Sequence, residues 1–412
     1  MASIKSPNRS AVDEGPVARR PLAVAVVTET WPPEVNGVSL TLARIVDGLK
    51  ARGHGVQLIR PRQPAVDAPG PSRPDELLLR GCPIPNYPHL RMGLPGRGAL
   101  SRRWQQCRPD VVHVATEGPL GWSALRAAAA LRLPLSSDFR TNFHAYSRHY
   151  GAGWLARPIL GWLRRFHNRA DATMVPTAAL RDELGAAGFQ RLHVVGRGVD
   201  HELFSPARRS AALRASWGVA DGAPVAICVG RLAPEKNLEL ALQAFAAIRR
   251  MRPHARLLFV GDGPLRLTLQ ARCEGAIFAG TRRGEDLAAH YASADLLLFP
   301  SLTETFGNVT TEALASGLPL VAFDRAAAAQ LVRSGDNGLL APADDECQFV
   351  DHAVRAAVNP HFARRLGQRA RETALAHGWD AVVAEVESVL RGAIQRATPV
   401  EAAQPAWRTS AA

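Results

Sequence analysis

Asp295-Leu296-Leu297-Leu298-Phe299-Pro300 runs straight into Ser301-Leu302-Thr303-Glu304-Thr305-Phe306-Gly307-Asn308-Val309-Thr310-Thr311-Glu312, and the helical stretch that follows stops at Ser316-Gly317-Leu318-Pro319. Leu296 to Phe299 are apolar at every position. A strand with one wet face alternates; a strand buried on both faces does not. Strand, loop and helix in this order make one unit of a parallel, doubly wound sheet. Similar apolar runs occupy 22–28, 55–59, 111–114, 172–175 and 193–195, then 224–230, 256–261, 319–323 and 338–341. Ala- and Leu-rich helical stretches such as 238–250 lie between them. The pattern occurs twice, which predicts an α/β fold of two Rossmann-like domains facing across a cleft.

Gly198, Asp200 and Pro206 break the pattern, so the joint is predicted near 199–207. The predicted N-terminal, acceptor-side domain is 21–200, and the predicted C-terminal, donor-side domain is 201–380. A helix over 381–397 could cross back to the N-domain. Residues 1–20 and 398–412 read as disordered tails. The first of these has charges but no apolar core, unlike a secretory signal. No apolar run approaches the roughly 18 residues of a membrane span.

The 412 residues are 47% hydrophobic and 21% charged, which excludes bulk disorder. A net charge of +13 predicts anionic partners: nucleic acid, an anionic membrane or a phosphorylated small molecule. All but three of the 50 basic residues are arginine, the lysines being Lys5, Lys50 and Lys236. Against that bias Lys236 stands out, because it lies in a strand-to-helix turn. The five cysteines (Cys82, Cys107, Cys228, Cys273, Cys347) form no C-x-x-C pair. That argues against a disulfide framework or a zinc site and fits a cytoplasmic protein.

Three strand-to-helix turns can carry chemistry. In the opening stretch, Gly307 and Asn308 suit a loop and an N-cap, which puts Glu304 in the loop and Glu312 early in the helix. Free N–H groups and a positive dipole at that helix start suit an anion, and flanking carboxylates can accept hydrogen bonds from sugar hydroxyls. Two solvated glutamates would fit the same text. In Val229-Gly230-Arg231-Leu232-Ala233-Pro234-Glu235-Lys236-Asn237, Arg231 can fork onto phosphate oxygens and Lys236 can add a point charge. A basic surface turn is the competing account. In Glu34-Val35-Asn36-Gly37-Val38-Ser39, Gly37 would let a ligand approach the backbone.

Taken in order, these motifs resemble those of the family 4 retaining glycosyltransferases of GT-B fold. The matching text is Asn36-Gly37, Gly230-Arg231-x4-Lys236, Gly261-Asp262-Gly263-Pro264, Glu304-x7-Glu312 and Ser316-Gly317-Leu318-Pro319, spread over about 22–380. The resemblance implies that Arg231 and Lys236 bind the donor diphosphate and stabilise its departure. It implies that Glu304 holds donor-sugar hydroxyls, beside backbone N–H groups at Phe306, Gly307, Asn308 and Val309. Glu312 would bind the ribose, Asn36 and Gly37 would approach the phosphate, and Gly280 would lie near the base. His144, in Thr141-Asn142-Phe143-His144 at the end of a strand-like stretch 134–143, would contact the donor sugar or phosphate. His113, between valines, reads as buried and structural. Relatives carry a second histidine after the position of His113 and paired glycines in the first loop; this chain has neither.

Thr28-Glu29-Thr30-Trp31-Pro32-Pro33, Asp138-Phe139-Arg140-Thr141-Asn142-Phe143-His144 and the run Ala326–Ala329 resemble the branch of GDP-mannose-dependent α-mannosyltransferases and glycolipid glycosyltransferases. The implied reaction moves a hexosyl group, mannose before glucose, from GDP-mannose or a UDP-hexose to a hydroxyl of a lipid or glycan acceptor. No cofactor and no metal are expected, since Asp-x-Asp occurs nowhere. Alternatives are another GT-B enzyme, such as a nucleotide-sugar epimerase or a phosphorylase, or a nucleic-acid-binding protein. Only charge supports the last, and no nucleic-acid partner is expected. The stretch 153–171 interleaves Trp154, Leu155, Ile159, Trp162 and Phe166 with Arg157, Arg164, Arg165 and Arg169. It could lie on an anionic bilayer, making the protein peripheral at the inner membrane face, or be a packed helix with a solvated basic edge.

Overall fold

The computed structural model describes residues 20–34, 37–63, 66–67, 75–84, 87–140, 156–220, 222–273 and 275–397. The first half contains β1 (Ala23–Val27), β2 (Gly55–Pro61), β3 (Glu76–Leu79), a hairpin of β4 (Gly81–Ile84) and β5 (Tyr87–Gly93), then β6 (Val111–Val114), β7 (Leu135–Asp138), β8 (Ala172–Val175) and β9 (Leu192–Val194). Apart from the hairpin these form one sheet in the order β3-β2-β1-β6-β7-β8-β9. The second half contains β10 (Val225–Val229), β11 (Arg256–Val260), β12 (Ile277–Gly280), β13 (Leu296–Phe299), β14 (Leu320–Phe323) and β15 (Leu339–Ala341), in the order β12-β11-β10-β13-β14-β15. All pairings in both sheets are parallel. Each sheet therefore winds outward from a central strand and then reverses, which is the Rossmann order.

Burial explains the unbroken apolar runs. In β13, Leu297 and Phe299 face one core of the second domain, while Leu296 and Leu298 face the other. In β10, Val225 and Ile227 divide from Ala226 and Cys228 in the same way. In β1, Val24 and Val26 divide from Ala25 and Val27. Helices cover both faces of both sheets, so neither face has room for a polar residue every second position.

The structure adds four strands that the apolar pattern does not announce: β3, β4, β5 and β12. β3 and β12 are only half-buried, each at a sheet edge, and the β4–β5 hairpin lies outside the main sheet. The strand-like stretch 134–143 is shorter than expected: β7 covers Leu135–Asp138, and residues 141–155 lie outside the described residues. The helix after β13 spans Asn308–Ala315, and its N-cap is Gly307 rather than Asn308.

The last helix, Trp379–Ala397, packs on the first domain. Val382, Val383, Val386, Val389 and Leu390 join the core that holds β1 and the helix Gly37–Ala51. The two helices touch closely: a Cβ on Gly48 would lie 2.4 Å from Val383. Glu387 fastens this helix, accepting from Arg52 at 3.0 Å and Arg391 at 2.8 Å, with the His54 ring at 3.3 Å. Burial raises its carboxyl, but Arg391, Arg52 and His54 outweigh that and hold it at about 2. The chain thus passes between domains twice, side by side. Val199 forms a parallel bridge with Gly378, and its N–H donates to His377.

Glu387→Gln should destabilise the fold by about 1–3 kcal/mol near pH 7, the range for a hydrogen-bonded charge. A carboxyl whose folded value lies below its unfolded one stabilises only while ionised. The gap between variant and wild type should therefore begin to shrink below about pH 5. Urea denaturation at pH 7.5 and pH 4 checks both; a gap independent of pH would contradict the assignment.

Candidate functional site

Ligands of an open α/β sheet bind beyond the strand ends where the winding reverses. In the second domain that point lies between β10 and β13. β10 ends at Val229, and Gly230 and Arg231 follow it; β13 ends at Phe299, and the loop carrying Glu304 follows it. Two of the three sequence turns thus meet at one place.

The loops are stitched together. Leu302 N–H donates to the Glu235 carbonyl at 3.0 Å, and Arg325 holds the Leu302 carbonyl at 2.8 Å. Lys236 closes a short 3-10 turn, Pro234–Lys236. Its ammonium forms an ion pair with Glu304 Oε1, which also accepts from the Ser301 hydroxyl at 2.8 Å. The ammonium lies 5.8 Å from the centre of the Phe299 ring. Both members of the pair are mostly buried, at 17% and 14% side-chain exposure. Arg231 and Lys236 line one depression with Gly230, Phe299 and Pro300.

Backbone geometry brings the turns this close. Gly261 has φ +137°, and a Cβ there would lie 1.9 Å from the Gly230 carbonyl. Gly307 has φ +91°, a left-handed N-cap that turns the chain into the helix Asn308–Ala315. The first turn of that helix offers N–H groups with no intrahelical acceptor. Phe306 is anchored in the core, and Val309 is half-buried against it.

Glu312 sits one turn further along the helix. The Tyr291 hydroxyl donates to its Oε2 at 2.8 Å. Burial pushes the Glu312 carboxyl up to about 7, against the opposing pull of that hydrogen bond. Burial and the adjacent carboxylate together push the Tyr291 hydroxyl well above its ordinary value. Gly280 ends β12 with φ +72°, and its carbonyl accepts from Gly261 N–H at 2.9 Å.

The first domain faces this site with Gly37, the first residue of its helix. A Cβ there would lie 3.9 Å from the Asn308 amide nitrogen. Asn36 and His144 lie outside the described residues. His113 is buried at the end of β6, with Nδ1 2.9 Å from the Ser136 hydroxyl and Nε2 3.6 Å from Asp138. Three further residues escape sequence reasoning. Tyr291 lies 21 positions before its partner with no local motif. Arg197 hydrogen-bonds Asn308 across the domains at 3.1 Å; its only local signal is a glycine on each side. Glu29 accepts from Leu120 N–H at 2.9 Å and so caps the helix Pro119–Ala130; burial pushes it up to about 7.

Residues 35–203 match Glycosyltransferase Family 4, and residues 223–359 match Glycosyl transferases group 1. A GDP-mannose-dependent alpha-mannosyltransferase of Mycolicibacterium smegmatis is 37% identical over 379 residues, covering 90% of this chain and 98% of the relative. The chain belongs to the family 4 glycosyltransferases. A second GDP-mannose-dependent alpha-mannosyltransferase, from Mycobacterium tuberculosis, is 35% identical over 88% of this chain and 94% of its own. The sucrose-phosphate synthase of Thermosynechococcus elongatus superposes with a TM-score of 0.72 at 20% identity, over 90% of this chain and 98% of that one. WaaG, a glycosyltransferase involved in lipopolysaccharide biosynthesis, does so with a TM-score of 0.65 at 17% identity, over 90% and 100%. The fold of this glycosyltransferase is accordingly GT-B.

Glu312 gives a test of the site's electrostatics. Its folded value lies above the unfolded one, so ionising it costs stability as pH rises from about 4.5 to about 7. Glu312→Gln removes that cost. The melting temperature of the variant relative to wild type should therefore rise between pH 5 and pH 8; a flat difference would show the carboxyl to be unperturbed.

Proposed function

We propose that this glycosyltransferase moves mannose from GDP-mannose to a hydroxyl of a lipid or glycan acceptor, with retention at the anomeric carbon. The observation that carries the reading is the Lys236–Glu304 pair at the reversal between β10 and β13, beside the open end of the helix Asn308–Ala315. The mannose preference rests on the two mannosyltransferase relatives. An alpha-monoglucosyldiacylglycerol synthase of Streptococcus pneumoniae is more distant, at 25% identity over 73% of this chain and 71% of its own.

A nucleotide-sugar already holds its leaving group. What the protein must supply is opposite charge at the phosphate as the glycosidic bond lengthens. Arg231 forks onto the diphosphate, and Lys236 turns from Glu304 toward it. Glu304 is then released to accept hydrogen bonds from the sugar hydroxyls, with Phe306, Gly307, Asn308 and Val309 offering backbone N–H groups beside it. Glu312 accepts from the ribose, Gly37 lets the phosphate approach the first domain, and Gly280 borders the base. The resemblance adds Asn36 to the phosphate turn and His144 to the sugar. The acceptor hydroxyl attacks on the face the phosphate leaves, and the departing phosphate oxygen takes its proton. Closing the cleft favours transfer over hydrolysis by excluding water. The cations present do this work without a metal or a cofactor.

The acceptor reading adds a membrane surface. In the helix Ala156–His167, Leu163 and Phe166 are buried in the first domain, while Arg157, Arg164 and Arg165 are exposed and Trp162 is 43% exposed. The apolar stripe thus serves mainly the fold, and the basic edge with Trp162 faces outward. That edge suits anionic headgroups. No described helix is long and apolar enough to cross a membrane.

Transfer from GDP-mannose should persist in excess EDTA. Glu304→Ala should abolish it while the protein still folds, with a lower melting temperature because Lys236 loses its buried partner. Lys236→Ala should lower turnover by about 10²–10³-fold, the cost of losing one preorganised charge-stabilising group. Normal turnover in either variant, or preference for UDP-glucose, would overturn the corresponding part of the reading. Flotation with liposomes containing anionic lipid should be lost at high salt and weakened by Arg164→Glu with Arg165→Glu; equal flotation on neutral vesicles would remove the headgroup role.

A further inference from the structure

We infer that Arg197 is a positioning residue for sugar transfer, a latch that ties the donor-side turn of the second domain to the Gly37 turn of the first. The inference rests on the transferase reading above but not on which sugar is moved. Arg197 follows β9 on the stretch that leads into the crossing at Val199 and is 8% exposed. Its Nη1 donates to Asn308 Oδ1 at 3.1 Å. Its guanidinium carbon lies 5.7 Å from the centre of the Phe306 ring. A Cβ on Gly37 would lie 3.1 Å from the same Nη1, and a Cβ on Gly196 would lie 3.9 Å from the Phe306 ring.

One guanidinium therefore meets both halves of the cleft. Phe306 and Asn308 are the two neighbours of Gly307, whose left-handed conformation starts the helix. Gripping both neighbours sets the direction in which the N–H groups of that turn point. Gly37, on the other side, has no side chain to hold the domains apart. Any larger residue there would push Nη1 away from Asn308. An arginine suits the post because its planar, always-charged group can stack on one partner and hydrogen-bond another, which an ammonium cannot do. Catalysis is sensitive to such a tie, since a misplacement of about 1 Å can cost about 10²-fold in rate.

The test is a double-mutant cycle with Arg197→Ala, Asn308→Ala and the double variant. It is read with whichever of GDP-mannose and UDP-glucose the wild type turns over. Each single variant should lose about 10- to 100-fold in kcat, and nucleotide-diphosphate affinity should change by less than about 3-fold. The double variant should be no worse than either single one, the signature of two residues acting through one bond. Arg197→Lys should recover only part of the loss. Unchanged kcat, additive losses, or full activity in Arg197→Lys would overturn the latch. Hydrogen exchange on the nucleotide-free protein reads the same link without a donor. Amides over 306–311 should exchange faster in Arg197→Ala and in Asn308→Ala, and unchanged exchange in both would overturn the proposal. Faster exchange with turnover of neither donor would instead leave the latch standing and sink the donor reading.

Discussion

Two parallel strands that part company govern this molecule. β10 and β13 lie side by side, yet their onward connections leave in opposite directions, and the space between those connections is where polar groups can gather without breaking a core. Lys236 and Glu304 fill that space with a largely buried ion pair. Such a pair is weak support for a fold, because desolvation offsets most of the attraction. Its place at the reversal is therefore better explained by what it can exchange. An arriving anion can take Lys236 from Glu304, and an arriving polyol can take Glu304 from Lys236. A donor that carries both groups compensates both partners at once. In the proposed reaction, a ligand with only one of them would leave a charge stranded.

The rest of the second domain serves that gap. Gly230, Gly261 and Gly307 adopt backbone conformations closed to most side chains, so that loops from three strands converge. Ser301 and Arg325 hold the Glu304 loop from two sides. Tyr291 fixes Glu312 from a different helix. Among the described residues, the first domain brings to this face the small Gly37 and the Arg197 guanidinium, while Glu29 caps the start of the helix Pro119–Ala130.

The fold is legible in the sequence wherever a strand is buried on both faces. Leu296 to Phe299 and Val225 to Val229 read as such strands because they are short, apolar throughout and bounded by turn residues. β3, β12 and the β4–β5 hairpin are not legible, because an edge strand or a detached hairpin has no need of a long continuous apolar run. Within the site, Lys236 announces itself through the scarcity of lysine in this chain, and Glu304 and Glu312 through spacing and the glycine between them. Tyr291 and Arg197 do not, since each acts on a residue distant in sequence and near only after folding. Gly307 in place of Asn308 as the cap is a smaller lesson: the sharp entry into the helix demanded a left-handed residue more than it demanded a capping side chain.

The two passages of the chain between the domains lie side by side. The helix Trp379–Ala397 belongs to the first domain by packing, although it follows the second in sequence, so the chain must pass between them twice. Val199 and Gly378 pair at that point, and Arg371 binds the carbonyls of His201, Phe204 and Ala315 beside it. The two passages meet in an isolated bridge and not in a sheet. Ala315 ends the helix that begins at Asn308, so the crossing and the donor turn are two ends of one rigid rod. Bending at the crossing must therefore move the open end of that helix relative to Gly37, and any group bridging the two, as Arg197 does, reports on the angle of the domains.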